Sequence, residues 1–361
     1  MIFGFISVAR SDFGRLLPVM RAVQESDVHS LKTIVAGNHQ NEKYGSSCNE
    51  IEASGFQIDF RIDSSDNPAE SSAYILSQLY TYLKTSSIDY LVILGDRFEM
   101  LAAAQAATLA RVPIIHIGGG YTTEGAFDNS IRDAITALSE YHLVATEKCY
   151  KKAARIVGNN EKIHLSGAPD LEIITKVSSI TYDEFCKELG LNSDLSFVLV
   201  TLHPETNMDY ENHLKAIQNF KKFLLTLNTQ ILLTAPCADP GSEEIFAMTG
   251  ELVESKRIFY KENLGARLYI NALRHTSLVL GNSSSGIIEA GSFRIPVVNV
   301  GDRQKGREQN INVINSTFDL DKLKSVYEEA MSGDFRSSLN GENIYGDCRF
   351  TEKFNKIFLE N

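Results

Sequence analysis

Short, nearly uninterrupted apolar runs recur along this chain, and longer segments with apolar residues at helical spacing lie between them. Ile2 to Ala9, Leu31 to Val35, Tyr90 to Leu94, Val112 to Ile117, His142 to Ala145 and Lys162 to Leu165 are the runs of the first half. Phe197 to Thr201, Gln230 to Thr234, Arg257 to Tyr260, Leu278 to Leu280 and Pro296 to Val300 continue the series. A strand that is apolar on both faces has to be covered on both faces, as in a parallel sheet flanked by helices. Alternation of such strands with helices predicts βαβ units throughout. At 361 residues the chain exceeds what one hydrophobic core usually spans, so two sheets are expected. The fold class is therefore α/β, with two Rossmann-like, doubly wound parallel-sheet lobes. Turn residues at Gly167-Ala168-Pro169-Asp170 mark the crossover. The expected division is 1–168 for the first lobe and 169–348 for the second, with a terminal helix at 349–361 packing back on the first.

Charge and cysteine usage narrow the function. A net charge of −11 argues against nucleic acid as a partner, because neutralising phosphates takes a basic face. An anionic substrate then has to meet a local cationic pocket. The loop Gly301 to Arg307, carrying Arg303, Lys305 and Arg307, is such a place. The five cysteines form no CxxC pair, which reads as reduced thiols without a zinc site. The apolar start, Met1 to Ala9, lacks a preceding basic region and is too short for a span, so it reads as a strand and not a signal peptide. A soluble, cytoplasmic protein with no membrane partner is expected. Without a dinucleotide GxGxxG or a His/Cys cluster, neither a cofactor nor a metal is expected.

The stretch Gly281-Asn282-Ser283-Ser284-Ser285-Gly286-Ile287-Ile288-Glu289 follows a strand, and Ile287 to Phe293 reads as a helix. Backbone N–H groups at a helix start, with hydroxyls beside them, make an anion site. Glu289 stands too near to serve a phosphate but suits a ribose diol. An ordinary capped helix beside a solvated basic loop explains the same residues. Other candidates sit at strand carboxyl ends, where open α/β sheets bind ligands. They are Arg10, His39, the pair Asp96 and Arg97, and His203 ahead of Pro204. After the glycines Gly118-Gly119-Gly120 come Glu124 and Asp128, near the start of the next helix. Plain structural roles stay open for them: an N-cap for Asp96, capping for Glu124 and Asp128, surface for Arg10 and His39.

The segments GNSSSGIIEAGSF (281–293) and IPVVNVGDRQKGR (295–307) resemble the nucleotide-binding half of the hydrolysing UDP-N-acetylglucosamine 2-epimerases, the branch that feeds sialic and legionaminic acid synthesis. GDRFE at 95–99 is similar to that family word for word, and its pattern continues in Thr123-Glu124-Gly125-Ala126, Asp128, Arg132, Ala134-Ile135-Thr136 and His203-Pro204. The chain departs at Tyr121, where the family has Glu, at Asn129 for an acid, at Asp133 for His and at Ala137 for Lys. Covering Arg10 to Arg307, the resemblance implies a glycosyltransferase-B architecture, a UDP-sugar held between the lobes, a homo-oligomer (dimer or tetramer) and no cofactor. UDP would leave C1, a base would remove the acidified C2 proton to give a glycal, and water would add with C2 inverted. The resemblance casts Asp96 and Glu124 as the acid/base pair, supported by Asp128 and His203. It assigns UDP-sugar binding to Arg10, His39, Arg97, Tyr121, Asp133, Asn282, Ser283, Ser284, Glu289 and Arg303. The departures keep two other readings open. One is a UDP-sugar hydrolase or glycosyltransferase without C2 inversion; the other is a catalytically silent UDP-sugar-binding regulator.

Overall fold

The first half of the chain folds into seven strands, β1 (Ile2–Ser7), β2 (Ser30–Val35), β3 (Ile58–Arg61), β4 (Tyr90–Leu94), β5 (Ile114–Ile117), β6 (Tyr141–Val144) and β7 (Ile163–Leu165). Six more follow: β8 (Phe197–Thr201), β9 (Gln230–Thr234), β10 (Ile258–Lys261), β11 (Leu278–Gly281), β12 (Val297–Val300) and β13 (Val313–Ser316). This computed structural model describes the chain except residues 41–47, 64, 123–127, 206, 238–239, 254–257 and 361, and the side chains of 38, 40 and 128. Met1–Thr122, Ala126–Glu172 and Tyr345–Asn361 form one compact unit, and Ile173–Ile344 is the body of a second.

The first sheet runs β3-β2-β1-β4-β5-β6-β7 and the second β10-β9-β8-β11-β12-β13, with parallel pairing between neighbours. Each sheet therefore winds outward in one direction, returns to its first strand and winds out the other way. The loops after β1 and β4, and after β8 and β11, part at that reversal and open a crevice at the strand ends.

Period-two alternation divides each strand between two cores. In β8, Val198 and Val200 join one buried cluster while Phe197 and Leu199 join the other. In β1, Ile6 faces the helices Pro68–Leu83 and Phe98–Ala110, and Phe3 and Phe5 face the helices Arg10–Gln24 and Phe350–Phe358. The last of these presents Phe350, Phe354 and Phe358 at four-residue spacing, all buried, with Phe354 6.0 Å from the ring of Phe3 and Phe358 5.2 Å from Tyr141. Its first turn has no cap of its own. Glu172 supplies one: Oε2 accepts the Thr351 backbone N–H at 3.0 Å and its hydroxyl at 2.6 Å.

Two strands carry no continuous apolar run and escape the sequence criterion. β3 and β13 are edge strands, paired on one side and only half-buried, so apolar side chains are not demanded at every position. The helix expected at Ile287 to Phe293 also differs. It starts earlier, at Ser284–Ile288, and passes into a 3-10 turn at Ala290–Phe293.

Candidate active site

In the first unit, Asp96 stands just past the end of β4. Its Oδ2 pairs with Arg132 Nη2; the Arg132 side chain is 3% exposed and that of Asp96 28%, so the carboxylate is anchored yet reachable. Arg132 comes from the helix Asp128–Leu138, and its Nη1 donates to the Tyr121 carbonyl and to Asn129 Oδ1, both at 2.9 Å. The turn carrying Asp96 is fixed from the neighbouring strand. His116 of β5 is fully buried, and its Nε2 donates to the Gly95 carbonyl at 2.8 Å. Burial lowers its pKa to about 4, so the ring is neutral at pH 7. A lone polar residue inside an apolar run is the sequence signal that marks His116, although it does not show what the ring holds.

Arg97 forks onto Glu99, with Nε 3.2 Å from Oε2 and Nη2 2.9 Å from Oε1, while its side chain stays 38% exposed. Arg10 begins the helix Arg10–Gln24 and pairs with Glu50 at 2.8 Å. His39, expected at the sugar, has another setting: it is sealed in the core with Nε2 2.7 Å from Ser7 Oγ. Burial brings its pKa down to about 4, so the ring is neutral at pH 7.

Three of the departures from the family pattern meet in one network. The Tyr121 carbonyl accepts from Arg132 and, at 3.2 Å, from Lys152 Nζ; Asn129 accepts from Arg132; Asp133 pairs with Lys152 at 2.8 Å. The Tyr121 ring, assigned above to UDP-sugar binding, packs with Val144, Cys149 and Ala153 and lies 6.2 Å from the Tyr345 ring. Gly120 is needed for the same packing. At φ +80°, a Cβ on it would fall 2.3 Å from the Cys149 carbonyl oxygen. Glu124 and the side chain of Asp128 lie outside the described residues; Asp128 opens the helix that carries Arg132.

In the second unit, Ser283 caps the helix Ser284–Ile288, its Oγ accepting from Ser285 N. Five residues give little macrodipole, so the attraction for an anion here falls to side-chain cations and hydroxyls. Arg303 reaches this turn from the loop after β12, with Nη1 3.1 Å from the Asn282 carbonyl oxygen. Asn282, expected to touch the ligand, is fully buried and spends both ends of its amide on His203: Oδ1 accepts the His203 N–H at 2.7 Å and Nδ2 donates to the His203 carbonyl at 2.8 Å. Those two bonds brace the β8 edge. The Cys237 N–H donates to His203 Nδ1 at 2.9 Å, so the neutral ring carries its proton on Nε2.

Tyr269 was not singled out by sequence. It is set on the helix Gly265–His275 with its hydroxyl among Ser283, Ser285 and Glu289; burial and the Glu289 charge push its pKa up to about 12, so it stays protonated at pH 7. Glu205 was also missed; its Oε1 accepts the backbone N–H of Asp302 at 2.8 Å. Among the described residues, no group of three or more His, Cys, Asp and Glu could hold a metal ion, and no helix is long and apolar enough to cross a membrane.

Both sets of residues occupy the reversal points of their sheets, and comparison with known proteins gives them a context. The sequence profile of the family described as UDP-N-acetylglucosamine 2-epimerase matches residues 21–359. The UDP-N,N'-diacetylbacillosamine 2-epimerase (hydrolyzing) of Legionella pneumophila is 32% identical over 355 residues, covering 97% of this chain and 93% of that protein. The GDP/UDP-N,N'-diacetylbacillosamine 2-epimerase (hydrolyzing) of Campylobacter jejuni is 31% identical over 343 residues, covering 92% of this chain and 88% of its own. In fold, the crystal structure of UDP-GlcNAc 2-epimerase from Neisseria meningitidis bound to UDP-GlcNAc superposes with a TM-score of 0.83 over 100% of both chains, at 17% identity. The two Rossmann-like sheets are thus of the glycosyltransferase-B type, and this chain belongs to the UDP-N-acetylglucosamine 2-epimerase family of enzymes.

Proposed function

We propose that the protein is a hydrolysing 2-epimerase of a UDP-2-acetamido sugar of the UDP-N,N'-diacetylbacillosamine type. The observation that carries this is the named activity of two relatives aligned over 97% and 92% of the chain. In the proposed reaction the C1–O bond breaks and its electron pair leaves with UDP. Positive charge at C1 acidifies the C2 hydrogen, and a carboxylate removes it as the glycal double bond forms. Water then adds across that bond, hydroxyl to C1 and proton to the opposite face of C2, so substrate and water become UDP and the epimeric sugar.

Asp96 is our candidate base, oriented by Arg132, with Glu124, Asp128 and His203 completing the proton transfers; such transfers typically contribute about 10²–10⁴-fold. Arg303 with Ser283 and Ser284 would hold the diphosphate, where a well-placed donor is worth about 2.7–4 kcal/mol of leaving-group stabilisation. Glu289 would accept from the ribose, and Arg10 and Arg97 would serve the phosphates and sugar. We further propose a cytoplasmic homo-oligomer that supplies precursors of sialic- or legionaminic-type acids. Loss of those acids from a strain lacking the protein, and a dimer or tetramer in sedimentation, are the corresponding checks.

Turnover of UDP-N,N'-diacetylbacillosamine or UDP-N-acetylglucosamine in deuterium oxide tests the reaction. Deuterium at C2 of the released sugar is expected. Release without deuterium would mean hydrolysis without epimerisation, and UDP binding without release would mean a silent binder.

A further inference from the structure

Glu205 is out of place beside an anion. It lies two residues beyond His203 at the β8 edge, half-buried, where its negative charge opposes that of a diphosphate. Its contacts give the reason. Oε1 accepts the backbone N–H of Asp302 at 2.8 Å and that of Arg303 at 3.3 Å. Both donors belong to the start of the loop that follows β12. Gly301 opens that loop at φ +78°, and a Cβ there would fall 2.0 Å from Glu205 Oε1 and 2.6 Å from the Phe318 ring. The carboxylate fills the space that a side chain at 301 would need. Arg303 and Gln304 then lie along Asn282, with Arg303 Nη1 3.1 Å and Gln304 Nε2 2.9 Å from its carbonyl oxygen. With its backbone held at 302 and 303 and its guanidinium held at the tip, the arginine has already lost much of the freedom that binding would remove.

We propose that Glu205 is a positioning residue that pre-orders Arg303 for the UDP diphosphate, acting through the loop backbone without touching the nucleotide. This rests on the assignment of Arg303 to the diphosphate made above. The charge of Glu205 works against the anion; the acceptor oxygen is what the loop uses. An amide oxygen in the same position accepts the same two bonds without the charge, so Glu205→Gln and Glu205→Ala separate the two effects.

UDP binding to the full chain, measured by calorimetry, tests this. Arg303→Ala should weaken UDP by about tenfold or more, and Glu205→Ala by about tenfold. Glu205→Gln should rescue affinity to within about twofold of the parent. Glu205→Ala combined with Arg303→Ala should bind no more weakly than Arg303→Ala alone, because one residue acts through the other. If Glu205→Ala does not fold, Gly301→Ala, which drives the carboxylate off the loop, must reproduce the weakening. Unchanged affinity in Glu205→Ala, equal damage from Glu205→Gln, or additive losses in the double variant would each overturn the proposal. An Arg303→Ala variant that binds UDP normally would overturn the diphosphate assignment itself, and that failure appears in the single variant.

Discussion

Asp96 owes its orientation to Arg132. The guanidinium carries three jobs at once, orienting Asp96, the Tyr121 carbonyl and Asn129. Arg132→Met keeps an unbranched apolar stem and removes all three bonds. Turnover should fall about 10²-fold or more as the carboxylate loses its aim, with UDP affinity unchanged. Parallel kinetics and calorimetry check this; loss of UDP binding as well would count against it. Asn282 makes the same point on the second sheet. Asn282→Ala strands the His203 N–H and carbonyl, and the expected cost is about 2–4 kcal/mol in denaturant unfolding. A loss under about 0.5 kcal/mol would mean that water replaces the amide there.

Strands β5 and β6 place His116 opposite His142, both buried. Burial lowers each to about 4, and for His142 the charges of His116 and His164 add to it. The ordinary value is 6.5, so the folded pKa lies below the unfolded one. Above 6.5 neither state takes up the proton. Between 6.5 and about 4 the unfolded chain is protonated and the native chain is not, so stability falls as the pH drops through that window. Each histidine accounts for at most about 3 kcal/mol of the loss. Melting temperature against pH should show the slope, and His116→Gln, which keeps a donor for the Gly95 carbonyl, should flatten it. The helix Phe350–Phe358 gives a second test. Glu172→Ala removes its distant cap, for a loss of about 0.5–2 kcal/mol, whereas Glu172→Gln should recover part of it.

The first unit closes only when the last residues of the chain return to it. Phe354 and Phe358 lie in its core with Phe3, Phe5 and Leu16, and the second unit's clusters use none of them. Ending the chain after Ile344 should unfold the first unit, since each lost aromatic is worth about 3–5 kcal/mol. Hydrogen exchange should then show β1 and β4 unprotected and β8 and β11 protected. Protection retained in β1 would contradict the place given to those phenylalanines. UDP supplies the converse test. At about a hundred times its Kd it should add about 2.7 kcal/mol to a calorimetric transition of the second unit, and shift one of the first by less, since there only arginines are offered to the phosphates. A single transition that shifts as a whole would oppose that.

The architecture was legible because its signals are local. A strand buried on both faces announces itself as an apolar run within five or six residues, as β4 and β8 do, and strand–helix alternation leaves few topologies. Asp96, His203 and the serine turn were found for the same reason, since each directly follows such a run. What stayed hidden depends on partners far along the chain. His39 meets Ser7 across 32 residues, Asn282 meets His203 across 79, Glu205 meets Asp302 across 97, and Glu172 caps a helix across 179. No spacing pattern encodes such pairs; they arise when two sheets wind back to their first strands. The amino-acid order alone therefore names the two sheets and most of the polar groups at their edges. Folding settles which of those groups are consumed in holding the others, because a buried donor or acceptor must find its partner before anything else can use it.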